Sequence, residues 1–151
     1  MRVKFVAALA SWLIALPVGA AEAKPADGQA VFDGTCAVCH QAGGKGMAGL
    51  APPLAGTLGP LLTRKEGRSY IAQVLVHGLS GRIVAQGQTF NLAMPPQAAL
   101  SDADLAAAAN YVARELNGST GPAFVDADIV AARAAKLSHK ELRALREGLL
   151  Q

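Results

Sequence analysis

Cys36-Ala37-Val38-Cys39-His40 is the most informative segment of the chain, because it places two thiols and an imidazole within five residues. The chain has no other cysteine. The spacing C-x-x-C-H is typical of covalent haem attachment, in which each thiol adds to one vinyl group of the porphyrin and the adjacent histidine binds the iron. The motif therefore predicts one covalent haem c on Cys36 and Cys39, with His40 as a metal ligand.

Three other kinds of site use a C-x-x-C pair: half of a zinc site, a thioredoxin-like redox pair and a structural disulfide. A zinc site needs further ligands, but His77 and His139 stand alone in sequence. A thioredoxin-like pair lies between a strand and a helix, whereas here a helical pattern precedes the motif and a glycine-rich segment follows it. We adopt haem attachment, and a haem-free dithiol or disulfide in an exported thiol oxidoreductase is the remaining alternative.

Residues 1–23 have the three parts of a secretory signal peptide. Arg2 and Lys4 precede an apolar run from Phe5 to Leu16, and Ala21-Glu22-Ala23 offers small residues at both positions that the peptidase recognises. The run of 12 residues is shorter than the roughly 20 needed to span a bilayer. We expect cleavage after the last alanine, or two to three residues earlier, and release into the periplasm; membrane attachment would require an uncleaved peptide.

The composition suits a small exported protein that carries a large cofactor. Removing residues 1–23 takes two basic residues from 14 and one acidic residue from 11, which leaves a formal charge of +2 that two haem propionates would roughly cancel. Nucleic acid is therefore not an indicated partner. Only 5% of the chain is aromatic, so a haem would supply apolar bulk for the core. An oxidising compartment also requires that both thiols be used.

Gly28 and Phe32 stand eight and four residues before Cys36, and with them the chain resembles class I cytochromes c. The resemblance implies a mainly α fold in which helices and loops wrap one covalent haem. It also implies that a small residue and an aromatic let the N-terminal helix cross the last domain helix closely. Asp27 can cap this N-terminal helix, which we predict for about residues 28–34.

A glycine-rich segment, Gln41 to Leu50, follows the motif and is predicted to be a loop. It leads to Ala51-Pro52-Pro53-Leu54, which resembles the proximal loop of the family. The resemblance implies that the Pro52 carbonyl accepts a hydrogen bond from Nδ1 of His40 and that Leu54 packs on the haem. Such a bond fixes the tautomer and strengthens the imidazole as a donor to iron. The family has a glycine before the proline where this chain has alanine, so a register shifted by one residue is an alternative.

Apolar residues at helical spacing predict a second helix from Arg68 or Ser69 to Gly78, and residues 82–91 predict a short hairpin around Gln86-Gly87. His77, near the helix end, is a weak candidate for a sixth iron ligand. Its position fits better with a histidine that the helix dipole favours at a C-terminus.

Met94-Pro95-Pro96 supplies a candidate for the second iron ligand, which the cysteine motif lacks. The resemblance implies that Met94 is the distal iron ligand, and a soft, neutral thioether favours ferrous iron and raises the reduction potential. The prolines stiffen the loop. Met47 is the alternative methionine, but it lies close in sequence to the proximal side.

Ser101 with Asp104 forms a capping pattern for the last domain helix, which Gly118 ends. Tyr111 stands where the family places an aromatic against the N-terminal helix. We therefore predict a cytochrome c domain at residues 24–118. Because Trp12 lies in the signal peptide, a family tryptophan that bonds a haem propionate must be replaced, and the candidates are Arg68, Tyr70 and Arg82.

Residues 119–151 form a C-terminal helical extension that the family core does not need. Asp126 can cap a helix to about Lys136, and Ser138 with Glu141 forms a capping box for a second helix. The two helices could pack back on the domain or dock on a larger enzyme, and the sequence does not choose between these.

The function depends on whether Met94 binds the iron. With His40 and Met94 both on iron, the protein is an electron carrier with no catalytic residues, exchanging single electrons with a dehydrogenase, a respiratory complex or a terminal oxidase. A variant of this function is the haem subunit of a dehydrogenase complex. An open-site haem protein that binds peroxide or gas would require Met94 to be off the iron, and no distal histidine with an arginine stands near Met94 to support it. We predict the electron carrier.

Overall fold

The structure is a computed structural model that describes residues 26–135 and 137–151. The predicted signal peptide at residues 1–23 and the predicted helix end at Lys136 lie outside these residues. The described chain is mainly helical with one small hairpin, as predicted. None of its described helices combines the length and the apolar character that crossing a membrane requires.

The N-terminal helix continues through the cysteine motif instead of ending near Gly34. It consists of α1 (Gly28–Val31), a π-helical turn (Phe32–Cys36) and α2 (Ala37–His40), and it ends at Gln41 with φ 63°. A single glycine inside a helix costs only about 1 kcal/mol, so Gly34 does not stop it. The predicted helix end at Gly34 was wrong, because a glycine by itself does not end a helix.

The crossing of this helix over α5 (Asp102–Arg114) is confirmed. A Cβ on Gly28 would overlap the carbonyl oxygen of Ala107, so only glycine permits this approach. Phe32 is fully buried, and its ring centroid lies 5.3 Å from that of Tyr111 at an interplanar angle of 47°.

The middle of the chain forms α3 (Gly59–Leu62), α4 (Lys65–His77) and an antiparallel hairpin of β1 (Ile83–Ala85) and β2 (Gln88–Phe90). The α4 helix begins three residues before the predicted Arg68, because its first turn is polar and lacks the apolar periodicity. The α3 turn was not predicted. The hairpin was, and its turn has positive φ at both Gln86 and Gly87, as a two-residue type I′ connection requires.

The C-terminal extension forms α6 (Asp126–Ala134) and α7 (His139–Leu150). The N-cap of α6 is Val125 and not Asp126, since the carboxylate of Asp128 accepts the Val125 amide at 3.0 Å and closes the first turn. The Ser138 cap of α7 is confirmed.

Both helices of the extension pack on the domain. One apolar cluster joins α4, α5 and α6, and includes Val76, Leu105, Phe124 and Ile129. A second joins α3, α4 and α7, and includes Leu61, Tyr70, Leu79, Leu142 and Leu149. Of the two interpretations of the extension, packing back on the domain is therefore the one that the structure shows.

Candidate haem site

The cysteine motif lies on one continuous helical segment. Both thiols are free and partly exposed, and because the two cysteines stand three positions apart they share one side of the helix. Burial raises the pKa of the Cys36 thiol. Catalytic redox cysteines need a lowered pKa, so this environment disfavours the thiol oxidoreductase alternative.

His40 is oriented by a single backbone carbonyl. The imidazole is 7% exposed, and its Nδ1 donates to the Pro52 oxygen at 2.9 Å. Burial lowers the pKa of His40, and the Pro52 carbonyl opposes this with a smaller effect. The ring is therefore neutral with its proton on Nδ1, and within residues 26–135 and 137–151 its Nε2 makes no hydrogen bond. A neutral imidazole with a free Nε2 is the form that binds iron.

The proximal loop holds Pro52 by close backbone contacts. Gly46, with φ +71°, donates to the His40 carbonyl at 2.7 Å, and a Cβ there would lie 2.5 Å from the Pro53 nitrogen. The amides of Leu54 and Ala55 both donate to the carbonyl of Gly44. The contact to His40 comes from Pro52 itself, so the alanine before it does not shift the register.

Asn117 ties this loop to the end of α5, and the sequence analysis missed it. Its amide nitrogen donates to the carbonyls of Leu54 and Val112 at 2.9 Å, and its amide oxygen accepts from Leu58 at 2.9 Å. The sequence pattern assigns the end of the helix to Gly118 and gives Asn117 no role. Nothing in the local pattern points to partners some 60 positions away.

Met94 is held by its backbone against the end of α4. Its amide donates to the Leu79 carbonyl at 2.8 Å, and the Leu79 amide returns a bond of 3.0 Å to the Met94 carbonyl. Gly78 has φ +72°, and a Cβ there would overlap the Met94 carbonyl oxygen. The Gln97 amide donates to Leu75 at 2.9 Å. The side chain of Met94 is half-buried against the second apolar cluster.

The backbone of Met47 and the imidazole of His77, the two alternative ligands, are bonded to other groups. Met47 pairs with Ala51 on the proximal side through two backbone bonds, and its side chain is 47% exposed. Nε2 of His77 lies 2.8 Å from the Ala132 carbonyl of α6. This contact fits a histidine at a helix C-terminus and not an iron ligand.

The predicted propionate partners are not brought together. Arg68 lies over the Phe124 ring, 4.0 Å from its centroid, and 3.9 Å from the Asp128 carboxylate. Tyr70 is 5% exposed, and burial raises its pKa to about 12 although Arg146 beside it acts in the opposite direction. Arg82 is exposed. Two of the three are thus engaged by the C-terminal extension.

The residues present fit a haem c. The donor set comprises two unlinked thiols, a neutral imidazole with a free nitrogen, and a thioether on a fixed loop. One face of α4, with Ile71, Val74 and Leu75, is only partly buried, whereas Ala72 and Val76 are buried on another face. In the described part of the chain no three or more His, Cys, Asp or Glu side chains cluster in a way that could hold a bare metal ion.

The family model and the two relatives that match this chain all point to cytochromes c. A family model described as "Cytochrome c" matches residues 25–114. A protein named cytochrome c-552 from Thermus thermophilus is 35% identical over 130 residues, which cover 82% of this chain and 97% of that protein. A second cytochrome c-552, from an individual strain of Thermus thermophilus, is also 35% identical over 130 residues, which cover 82% of this chain and 86% of that protein.

Proposed function

This chain belongs to the cytochrome c family and carries haem c, and on that premise we propose that it is a periplasmic carrier of single electrons in which His40 and Met94 would hold the haem iron. The haem, bound through Cys36 and Cys39, supplies one-electron chemistry between ferric and ferrous iron. The protein supplies the ligands, the burial and the docking surface.

The observation that carries this proposal is the fixation of Met94. Two reciprocal backbone bonds to Leu79 and the close contact at Gly78 leave the methionine loop little freedom. With both residues bound, the iron would have no free position for a substrate, for peroxide or for a gas. His77, a histidine that could otherwise assist distal chemistry, is bonded to Ala132. These contacts favour outer-sphere electron transfer over catalysis at the iron.

The surface near the motif supports transfer by brief docking. Val38, between the two cysteines, is 72% exposed. The porphyrin edge attached to the neighbouring thiols would therefore lie close to the surface, within reach of a redox protein. We propose a dehydrogenase, a respiratory complex or a terminal oxidase as the class of partner. The signal-peptide pattern of residues 1–23 supports the periplasm as the place where they meet.

Absorption spectra of protein expressed in a periplasm, recorded in both redox states, test haem content and ligation together. We expect a low-spin haem spectrum, a weak thioether-to-iron band near the red end of the visible range in the ferric state, and haem that stays on the chain in denaturing acid solvent. Rapid binding of carbon monoxide by the wild-type protein, with no such band, would refute the carrier in favour of an open-site haem protein.

A further inference from the structure

The C-terminal extension contacts both the segment that pairs with Met94 and the residues that follow Met94, and we propose that it keeps the methionine on the iron through two positioning residues, Arg143 of α7 and Arg133 of α6. This inference rests on the proposed ligation by Met94. It goes beyond that ligation, because it assigns control of the iron–sulfur bond to a part of the chain that lies outside residues 25–114, the family match.

Arg143 holds the backbone partner of Met94. Its guanidinium donates to the carbonyl of Ser80 and covers Gly81, where a Cβ would lie 2.5 Å from Nη1. Ser80 directly follows Leu79, the residue that exchanges two backbone bonds with Met94. A displacement of the Leu79 to Gly81 segment would therefore move the backbone of the ligand.

Arg133 holds the residues that follow Met94. Its Nη1 donates to Ala98 at 2.9 Å and its Nη2 to Leu100 at 2.7 Å, while Nε contacts the Asp102 carboxylate at 2.6 Å. These acceptors lie four to eight residues after Met94. The arginine thus fixes the stretch between the methionine and α5 from outside.

Apolar contacts from α7 also hold the segment that pairs with Met94. Leu142 and Leu149 are buried in the cluster that contains Leu79, and Met94 packs against this same cluster. A thioether is a weak, neutral ligand, so it stays on iron only while its loop stays in place. Loop opening must break the charge-assisted bonds to the two arginines, and such bonds are stronger than neutral ones.

The test measures how fast imidazole displaces the thioether in the ferric holoprotein. At saturating imidazole, the rate of loss of the thioether band reports opening of the iron–sulfur bond. We expect Arg143→Met to raise this rate on the order of tenfold, the factor that one charge-assisted hydrogen bond represents, and Arg133→Met, which loses three such contacts, to raise it by more. Arg143→Lys, which keeps the charge and one donor direction, should restore part of the wild-type rate.

Asn110→Ala is the matched control. Asn110 bonds the amide and the carbonyl of Phe124 at 2.7 and 2.8 Å, so the variant loosens the extension without touching the segments that the two arginines hold. It should lower the melting temperature and leave the displacement rate within about twofold of wild type, since additivity holds for sites without shared partners.

Two results would overturn the inference alone. One is an intact thioether band with unchanged displacement in both arginine-to-methionine variants, or in Arg133→Met alone if Arg143→Met does not fold. The other is an equal acceleration in Asn110→Ala, which would show a general loosening. A wild-type protein that lacks the band would instead overturn the Met94 ligation, and this inference with it.

Discussion

Replacing Gly78 by alanine should detach Met94 from its position, and the structure allows the effect to be worked out. Alanine in the left-handed region costs about 1–2 kcal/mol, and Gly78 has φ +72°. The new Cβ would also overlap the Met94 carbonyl oxygen and lie 2.8 Å from the Pro96 nitrogen. Ordinary contact starts at 3.4 Å, so clearing the Pro96 nitrogen alone requires a shift of about 0.6 Å, and clearing the closer Met94 oxygen requires more.

That movement acts directly on the two bonds between Leu79 and Met94. At 2.8 and 3.0 Å they are well formed, and a shift of this size would stretch both to the limit of a hydrogen bond. Each is worth about 1 kcal/mol. Adding the backbone strain, we expect Gly78→Ala to lower the free energy of unfolding by about 3–4 kcal/mol and to weaken the thioether band.

Gly87→Ala separates strain from displacement. Gly87 has the same φ of +72°, but a Cβ there would meet nothing within 4 Å. This control should lose only about 1–2 kcal/mol and keep its full band. Denaturant unfolding and ferric absorption spectra of the two variants provide the comparison. Equal destabilisation with an unchanged band in Gly78→Ala would refute the reasoning that this glycine sets the position of Met94.

Three further experiments follow from the site. Cys36→Ala or Cys39→Ala should sharply reduce the yield of holoprotein, since one thioether bond and the haem that fills the core are lost. Mass spectrometry should show one haem on the wild-type chain. A native Cys36–Cys39 disulfide without haem would contradict this. Met94→Ala should abolish the thioether band, admit carbon monoxide and lower the potential, Met94→His should lower the potential while keeping six ligands, and Met47→Leu should change neither spectrum nor potential. Burial raises the folded-state pKa of Tyr70 to about 12, above its ordinary value of 10. The contribution of this shift to stability is therefore complete below pH 10 and is lost as the pH rises towards 12, at about 1.4 kcal/mol per pH unit. Urea unfolding at several pH values should show this slope in the wild type and not in Tyr70→Phe.

The parts of the fold that the sequence predicted are those governed by neighbouring residues. The hairpin follows from Gln86-Gly87, whose conformations suit a two-residue turn, and the helix starts at Ser101 and Ser138 follow from side chains that bond an amide three positions on. The crossing at Gly28 was predicted only through the family resemblance. Its physical cause, the absence of a Cβ against Ala107, lies almost 80 positions away.

The parts that were missed depend on contacts between distant segments. Nothing near Arg143 or Arg133 indicates that each binds backbone carbonyls around the methionine loop. Arg68 looked free to meet a propionate, yet it lies against Phe124 of the extension. Charged side chains usually face solvent, so a local pattern does not reveal the few that fasten one segment to another.

Asn117 makes the proximal loop and the end of α5 a single cooperative unit. Its side chain reaches Leu54 and Leu58, which are 63 and 59 positions away. Closing a loop of that length costs about 3.6 kcal/mol in chain entropy, but the two bonds share one closure. Neither segment can fray alone without breaking bonds that the same closure supports. The ring of His40 is thus oriented by a loop whose local opening is tied to the release of a helix near the other end of the domain.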